Sequence, residues 1–209
     1  MVMCAGGRPG AAAKVWGRGT MVDGRRRMGR GARIVLAMSL ILGAVALAGL
    51  PLYVFPATDE PRAVDAVLVV GPARAEGIDV ALGMIDDGLA DTLVISIADD
   101  EGQRRYVPEA TVLCTEPQDF TVVCAQPEPF TTQGEARWLR DLAHEHGWES
   151  AAVVAVRPHL SRVRAAMASC WDGDIAYLDS GEATPFRAVL YAYAYQTAGF
   201  VKAAFTRGC

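Results

Sequence analysis

The feature of this sequence that most constrains its fold is an uncharged, strongly apolar segment from Ile34 to Phe55. A helix of about 20 apolar residues crosses the hydrocarbon core of a bilayer. Residues 1–33 hold eight of the chain's 20 basic residues and one of its 24 acidic residues, which leaves 12 basic and 23 acidic residues after position 33. Because positively charged flanks stay on the cytoplasmic side, the pattern predicts a single-pass plasma-membrane protein with a cytoplasmic N-terminus and an extracytoplasmic body. The lipid bilayer is then its first partner.

A cleavable signal peptide is the alternative interpretation of the apolar segment. Ala46-Leu47-Ala48 before Gly49 has the small-x-small pattern that signal peptidases accept. Apolar residues continue beyond that pattern to Phe55, which favours an uncleaved anchor. In both interpretations the body is exported. We predict a basic, disordered cytoplasmic segment over 1–33, a transmembrane helix over 34–55, a polar linker over 56–62 and one α/β domain over 63–209.

Four of the five cysteines lie in the predicted exported body, and an even number in an oxidising compartment indicates disulfides. Four cysteines allow three pairings. Cys114–Cys124, which are close in sequence across a turn-like segment, and Cys170–Cys209, which would tie down the C-terminus, are favoured. A metal site is less favoured because the paired Cys-x-x-Cys spacing is missing and histidines are few. We therefore predict neither a metal nor a cofactor.

Apolar runs and helical patterns alternate along the body, which is typical of a mostly parallel sheet covered on both faces. The sequence predicts an α/β fold, a three-layer Rossmann-like sandwich preceded by one transmembrane helix. Strands are expected over about 63–70, 92–97, 151–156 and 175–178, with less regular ones around 111–114 and 120–124. Helices are expected over about 78–85, 132–143, 163–171 and 184–205.

Ligands of such sheets bind at the carboxyl ends of the strands. The most suggestive stretch there runs from a buried strand into a helix whose start holds Arg157, His159, Arg162 and Arg164. The free amides and dipole of a helix N-terminus attract anions, and these side chains would strengthen that attraction for a phosphate or carboxylate. The alternative is that the arginines are solvated and His159 is a loop residue.

A second stretch contains Thr131, Thr132 and Glu135. The last two have the spacing of a capping box, which explains them on local grounds. The alternative is that the two hydroxyls face the same ligand. Motifs for dinucleotide binding, a serine nucleophile elbow, a zincin helix and a phosphate-binding Gly-Lys-Thr loop are missing from the sequence, which argues against those classes.

Over about Val64 to Leu178, the order of motifs resembles that of the YdcF/SanA/ElyC-like family. The resemblance rests on a strand and turn with an arginine shortly after, a glycine turn before the second strand, a threonine-containing helix start, and a strand followed by a His-x-x-Arg helix start. These are Val67–Gly71 with Arg74, Gly88–Ala90 before Leu93–Ser96, Pro129–Ala136, and Val153–Arg164. It implies a Rossmann-like domain with a pocket formed by these loops and a role in the cell envelope.

The chain departs from the family pattern at several positions. The glycine-rich first loop is reduced to Gly71-Pro72, Ser96-Ile97-Ala98 stands where the family has Ser-Gly-Gly, and Glu135 replaces the asparagine of Thr-x-x-Asn-Ala. Glycine losses where a backbone must approach a phosphate weaken the case for the same ligand or for catalysis.

The expected function is that of an envelope protein, with a role in envelope biogenesis or barrier integrity, that binds a small phosphorylated molecule or lipid-linked precursor. The expected ligand-binding residues are Arg74, Thr132, Glu135, His159 and Arg162. If the ligand is turned over, phosphoryl or pyrophosphoryl hydrolysis with His159 as general acid/base is the expected reaction. The alternative is a non-catalytic scaffold or partner-binding module with a degenerate pocket. Nucleic acid is not an expected partner because the body is acidic.

Overall fold

The computed structural model describes residues 29–205 and residue 209. Its contacts divide the chain into two units, Met1–Leu40 and Ile41–Cys209, each of which is described by itself. The predicted disorder of residues 1–33 falls mostly outside the described residues. From Arg30 onward the described part of that segment is helical.

The apolar segment forms helix α1 (Arg30–Gly49), which continues into a π-helical turn, Leu50–Val54. Over Arg30–Val54, a length of 25 residues, it is apolar and long enough to cross a membrane. It is the one such helix in the part of the chain that the structure describes. A helix of this kind near the N-terminus fits both a membrane anchor and a signal sequence.

The second unit is built on a parallel sheet of five strands, as far as the described residues show. The strand order is β3-β2-β1-β4-β5. Every neighbouring pair is parallel. The central strand β1 is buried at all four positions, as expected for a strand covered on both faces. The strands are β1 (Ala66–Val69), β2 (Thr92–Ser96), β3 (Thr121–Ala125), β4 (Ser150–Ala155) and β5 (Asp174–Asp179).

Helices cover both faces of the sheet, and the predicted three-layer α/β architecture is confirmed. Helices α2 (Ala75–Asp86) and α4 (Pro108–Thr115) pack on the face that carries Val67 and Val69. Helices α5 (Thr132–His146) and α6 (Leu160–Cys170) pack on the face that carries Ala66 and Leu68. The remaining elements are α3 (Glu101–Arg104), a 3₁₀ turn (Arg157–His159) and α7 (Phe186–Phe205).

One predicted strand is wrong, because the segment around Thr111–Cys114 lies in α4. Pro108 stands in the first helical turn, where its missing N–H costs no hydrogen bond. Ala110 is fully buried in the cluster beneath α2. The Thr111 hydroxyl donates to the backbone oxygen of Val107, so the polar group of this β-branched residue has a hydrogen-bond partner within the helix. Tertiary packing therefore overrides the strand preference of this segment.

The structure pairs the cysteines in the two favoured ways. The Cys114–Cys124 bridge ties α4 to the edge strand β3, and the Cys170–Cys209 bridge ties the C-terminal residue to the end of α6. Stable bridges of this kind are typical of oxidising compartments.

The predicted linker over 56–62 is bound to the domain along part of its length. The Asp59 N–H donates to the Tyr177 backbone oxygen at 2.9 Å, and the Asp59 carboxylate accepts the Tyr177 N–H at 2.8 Å. Arg62 donates two hydrogen bonds of 2.7 Å to Asp174. The two Asp59 contacts use backbone groups of Tyr177 that edge strand β5 would otherwise expose.

Candidate functional site

A cavity of about 1550 Å³ opens at the carboxyl edge of the sheet. The strand order reverses between β1 and β4, and parallel α/β sheets bind ligands at that point. The loop after β1, the start of α5, the 3₁₀ turn after β4 and one side of α7 all contribute to the walls. The lining residues include Gly71, Thr132, Glu135, His159, Arg162 and Tyr195.

A hydrogen-bonded cluster of Thr132, His159, Arg162 and Gln196 lies at the cavity, and the first three of these residues line it. Arg162 donates from Nη1 to the Thr132 hydroxyl at 2.9 Å and from Nε to Gln196 Oε1 at 2.7 Å. His159 Nε2 lies 3.3 Å from the Thr132 hydroxyl, and His159 Nδ1 lies 3.3 Å from Gln196 Oε1. An amide oxygen only accepts, so Nδ1 carries the imidazole proton and Nε2 accepts from Thr132.

His159 is neutral in this environment. Burial, together with the positive charge of Arg162, lowers the pKa of its imidazole to about 3, although the hydrogen bond with Gln196 acts in the opposite direction. The ring is 7% exposed. His159 therefore serves as an uncharged partner that positions its neighbours.

Glu135 has a different role from the one its position in a capping box would give it. Its Oε1 accepts the Gly71 N–H at 2.8 Å, which ties α5 to the turn after β1. Burial raises the pKa of the Glu135 carboxyl, and the Ser96 and Gly71 hydrogen bonds and the charge of Arg162 oppose that rise. A Cβ at Gly71 would lie 3.3 Å from this carboxylate, so glycine permits the close approach.

The capping box predicted for Thr132 and Glu135 is wrong by one residue. Thr131 is the N-cap of α5, and its hydroxyl accepts the Gly134 N–H at 3.3 Å. Thr132 therefore occupies the first turn of the helix, with its buried side chain in the cluster. Helix capping therefore does not explain Thr132 and Glu135, and both side chains line the cavity.

Arg162 is the arginine of the predicted anion-binding stretch that joins the cluster. The Arg157 guanidinium pairs with Asp179, with Nε 2.8 Å from the carboxylate oxygen. Arg164 lies over the Tyr177 ring, 4.3 Å from its centroid, and donates to the Ala57 backbone oxygen. The expectation of three converging guanidinium groups is wrong because successive helix positions point in different directions.

Arg74 lies at the rim of the cavity. Its guanidinium is exposed and donates to Glu182 Oε1 at 2.8 Å. The structure therefore brings Thr132, Glu135, His159 and Arg162 together and leaves the charged group of Arg74 paired outside their cluster.

Gln196 belongs to the site but is not among the residues that the sequence predicts for it. This side chain is 7% exposed and contacts both His159 and Arg162 from α7. A signal was present in the sequence, since Gln196 follows the buried Ala192 by one helical turn and is a polar residue on an otherwise apolar stripe.

Within residues 29–205 and residue 209, no cluster of three or more histidine, cysteine or acidic side chains could hold a metal ion. No family model matches the chain, and no curated protein matches it. The resemblance to the YdcF/SanA/ElyC-like family therefore stays a prediction from the motifs.

Proposed function

We propose that this chain is a membrane-anchored envelope protein whose extracytoplasmic domain binds a small phosphorylated ligand at the carboxyl edge of its sheet. We also propose that it is a divergent, disulfide-containing member of the YdcF/SanA/ElyC-like family, with the role in envelope biogenesis or barrier integrity that this membership implies. The observation that carries the binding proposal is the position of the Arg162 guanidinium, part-buried in the cavity and held by neutral acceptors.

The charge of Arg162 favours an anionic ligand. The acceptors that orient its guanidinium are the Thr132 hydroxyl, the Gln196 amide oxygen and His159 Nε2, all of them neutral, and the Glu135 carboxyl acts on its charge through space. Burial lowers the pKa of Arg162 from its ordinary value, which reflects the cost of keeping this charge away from water. A phosphate or carboxylate would offset that cost through charge-assisted hydrogen bonds.

The start of α5 places the positive end of a helix dipole at the same cavity, which Thr131 and Thr132 line. Arg162 and the α5 N-terminus thus favour the same kind of ligand.

The size of the cavity favours a ligand larger than inorganic phosphate. Its volume of about 1550 Å³ exceeds the ~300–1,000 Å³ that is usual for small-molecule sites. Aromatic side chains of Tyr106, Phe130, Tyr195 and Phe200 form part of its walls. The proposed ligand therefore carries an apolar or planar group beside its phosphate.

The environment of His159 supports binding more than hydrolysis. A general acid/base works best with a pKa near the operating pH, whereas burial lowers the pKa of His159 to about 3. Both of its ring nitrogens are engaged. We assign His159 a positioning role, in which it holds the Thr132 hydroxyl and the Arg162 guanidinium in place.

The binding proposal is tested by thermal unfolding of the full chain in detergent, with inorganic pyrophosphate and dodecyl phosphate as probes. We expect both probes to raise the Tm of the wild-type protein and of Arg164→Gln, and to leave the Tm of Arg162→Gln unchanged. The two arginines lie two residues apart on α6, and only Arg162 joins the cluster, so Arg164→Gln is a matched control. At a probe concentration of 100 Kd the stabilisation is about 2.7 kcal/mol.

The alternative function is a non-catalytic scaffold that binds a protein partner. The observation in its favour is that Thr132, His159, Arg162 and Gln196 satisfy one another's hydrogen bonds, as residues of a purely structural cluster would. An unchanged Tm with every anionic probe, or equal shifts in all three proteins, would favour this alternative over ligand binding.

The anchor part of the proposal rests on packing around the candidate cleavage site. The Tyr193 hydroxyl donates to the Ala46 backbone oxygen at 2.8 Å, and Gly49 is buried against the Tyr193 ring. A signal peptidase requires an accessible, extended segment, whereas Ala46 to Gly49 is helical and Gly49 is buried here.

We therefore expect the chain isolated from membranes to retain residues 34–55. Intact-mass spectrometry of the purified protein measures this directly. A mature N-terminus at Gly49 would contradict the anchor and favour a cleaved signal peptide.

A further inference from the structure

Helix α7 carries a broad apolar face that the second unit leaves exposed. Its opposite side contacts the site, because Ala192 and Gln196 are buried. Large apolar patches on a soluble surface are uncommon and mark binding surfaces. The α7 face is defined by five large side chains that are 54% to 86% exposed, namely Phe186, Leu190, Tyr191, Val201 and Phe205.

The α7 helix is fixed against the end of the apolar N-terminal helix. Tyr193 donates to the Ala46 backbone oxygen, and its ring lies 4.9 Å from the ring of Tyr53, measured between centroids. The Tyr53 hydroxyl lies 2.9 Å from the Thr197 hydroxyl. All of these residues belong to the second unit, and they place the middle of α7 beside the last part of the apolar segment.

The charge of α7 is opposite to that of the rest of the body. Residues 34–209 contain 23 acidic residues, yet none lies between Phe186 and Phe205, where the charged residues are Arg187 and Lys202. Anionic lipid headgroups attract cations and repel carboxylates, so this distribution suits a membrane surface.

The residue types of the α7 face suit the interfacial region of a bilayer in particular. Tyrosine places an apolar ring in the acyl boundary and its hydroxyl among the headgroups, and arginine and lysine extend their charges outward. Helices with one apolar aromatic face and basic residues lie in the plane of the interface. A helix of 20 residues is about 30 Å long, which gives such a contact a substantial length.

We propose that α7 lies on the outer surface of the membrane, with the face of Phe186, Leu190 and Tyr191 in the headgroup region of the leaflet where the anchor ends. This contact is additional to the anchor. It rests on the membrane-anchored part of the proposed function and does not depend on the ligand of the cavity. Because α7 also forms a wall of the cavity, the contact holds that wall at the membrane surface.

The test uses the full chain in vesicles of phosphatidylethanolamine and phosphatidylglycerol, with the photo-reactive residue p-benzoylphenylalanine in place of Tyr191. The control carries the same residue in place of Glu145, which is exposed near the end of α5 far from its N-terminus. Tyr191 is 67% exposed, and the aromatic ring of the replacement can keep the stacking contact with Tyr195. We expect about five times more lipid adduct at position 191 than at position 145, measured by mass spectrometry on chains that retain residues 34–55.

Equal lipid adducts at the two positions would overturn the proposal. Adducts at position 191 that join two copies of the chain would also overturn it and would identify the α7 face as a dimer surface. A failure of pyrophosphate to raise the Tm affects the ligand proposal alone, so the two proposals are distinguished by separate measurements.

Discussion

Replacing Gly134 by alanine should destabilise the domain by about 3 kcal/mol, the upper part of the range for overpacking a rigid site. Gly134 lies in the first turn of α5, and a Cβ built on it would overlap the backbone oxygen of Pro129. A backbone carbonyl cannot turn aside as the end of a flexible side chain can. The start of α5 would have to shift, and with it the Thr132 hydroxyl that contacts Arg162 and His159.

The matched control is Gly83→Ala, which makes the same chemical change in a helix without a steric conflict. Nothing lies within 4 Å of a Cβ at Gly83, which is in α2. Alanine is favoured over glycine in a helix by ~1 kcal/mol, so this variant should be slightly more stable than the wild type. Denaturant titration of both variants measures the effect. Equal stabilities for the two would show that the loop at Pro129 can move away and that the start of α5 is not rigid.

The second large effect is a pH dependence that His159 contributes to stability. Burial lowers the pKa of His159 to about 3 in the folded protein, whereas an unfolded histidine titrates near about 6.5. A lowered pKa means that the folded state favours the neutral ring. The stabilising contribution is therefore complete above pH ~6.5 and decreases as the pH falls from there toward 3.

At pH 5 the free energy of unfolding is lower by about 2 kcal/mol. The reason is that pH 5 lies about 1.5 units below the pKa of the unfolded histidine, so the unfolded state binds a proton that the folded state does not bind. The measurement is the free energy of unfolding of the wild type minus that of His159→Asn, at pH 7.5 and at pH 5. We expect this difference to fall by about 2 kcal/mol at the lower pH.

The wild type has to be compared with His159→Asn because protonation of Glu135 has the opposite effect on the free energy of unfolding. Burial raises the pKa of the Glu135 carboxyl, so its protonation on lowering the pH favours the folded state. That contribution is common to both proteins and cancels. A difference that stays constant between the two pH values would mean that the His159 ring is accessible to water and protonates in the folded state.

The layered α/β architecture could be predicted from the sequence because its signals are local. A strand buried on both faces is apolar throughout, as Ala66–Val69 is, and a helix with one packed face repeats its apolar residues every three or four positions, as Thr132–His146 does. The segment that failed, Pro108–Thr115, is rich in β-branched residues, and its helical state depends on the burial of Ala110 beneath α2.

The site was predicted less completely than the fold. His159 and Arg162 were expected together because four residues of one helix start share a neighbourhood. Arg157 and Arg164 belong to the same stretch but pair with Asp179 and with Tyr177, since each helix position points in its own direction. The departure from the family pattern at Glu135 also has a structural explanation, because this carboxylate holds the Gly71 N–H.

The sequence by itself determined the apolar N-terminal segment and most of the order of strands and helices, because these follow from composition or from residues near one another in the chain. It favoured the cysteine pairing that the structure shows without deciding among the three possible pairings. Only the tertiary structure decided that Gln196 joins His159 and Arg162, that Thr131 rather than Thr132 caps α5, and that α7 keeps an apolar face exposed. The physical reason is that these features depend on which distant elements meet and on how each side chain is directed. The strand order and the packing of whole helices fix those relations, and no periodicity within one segment contains them.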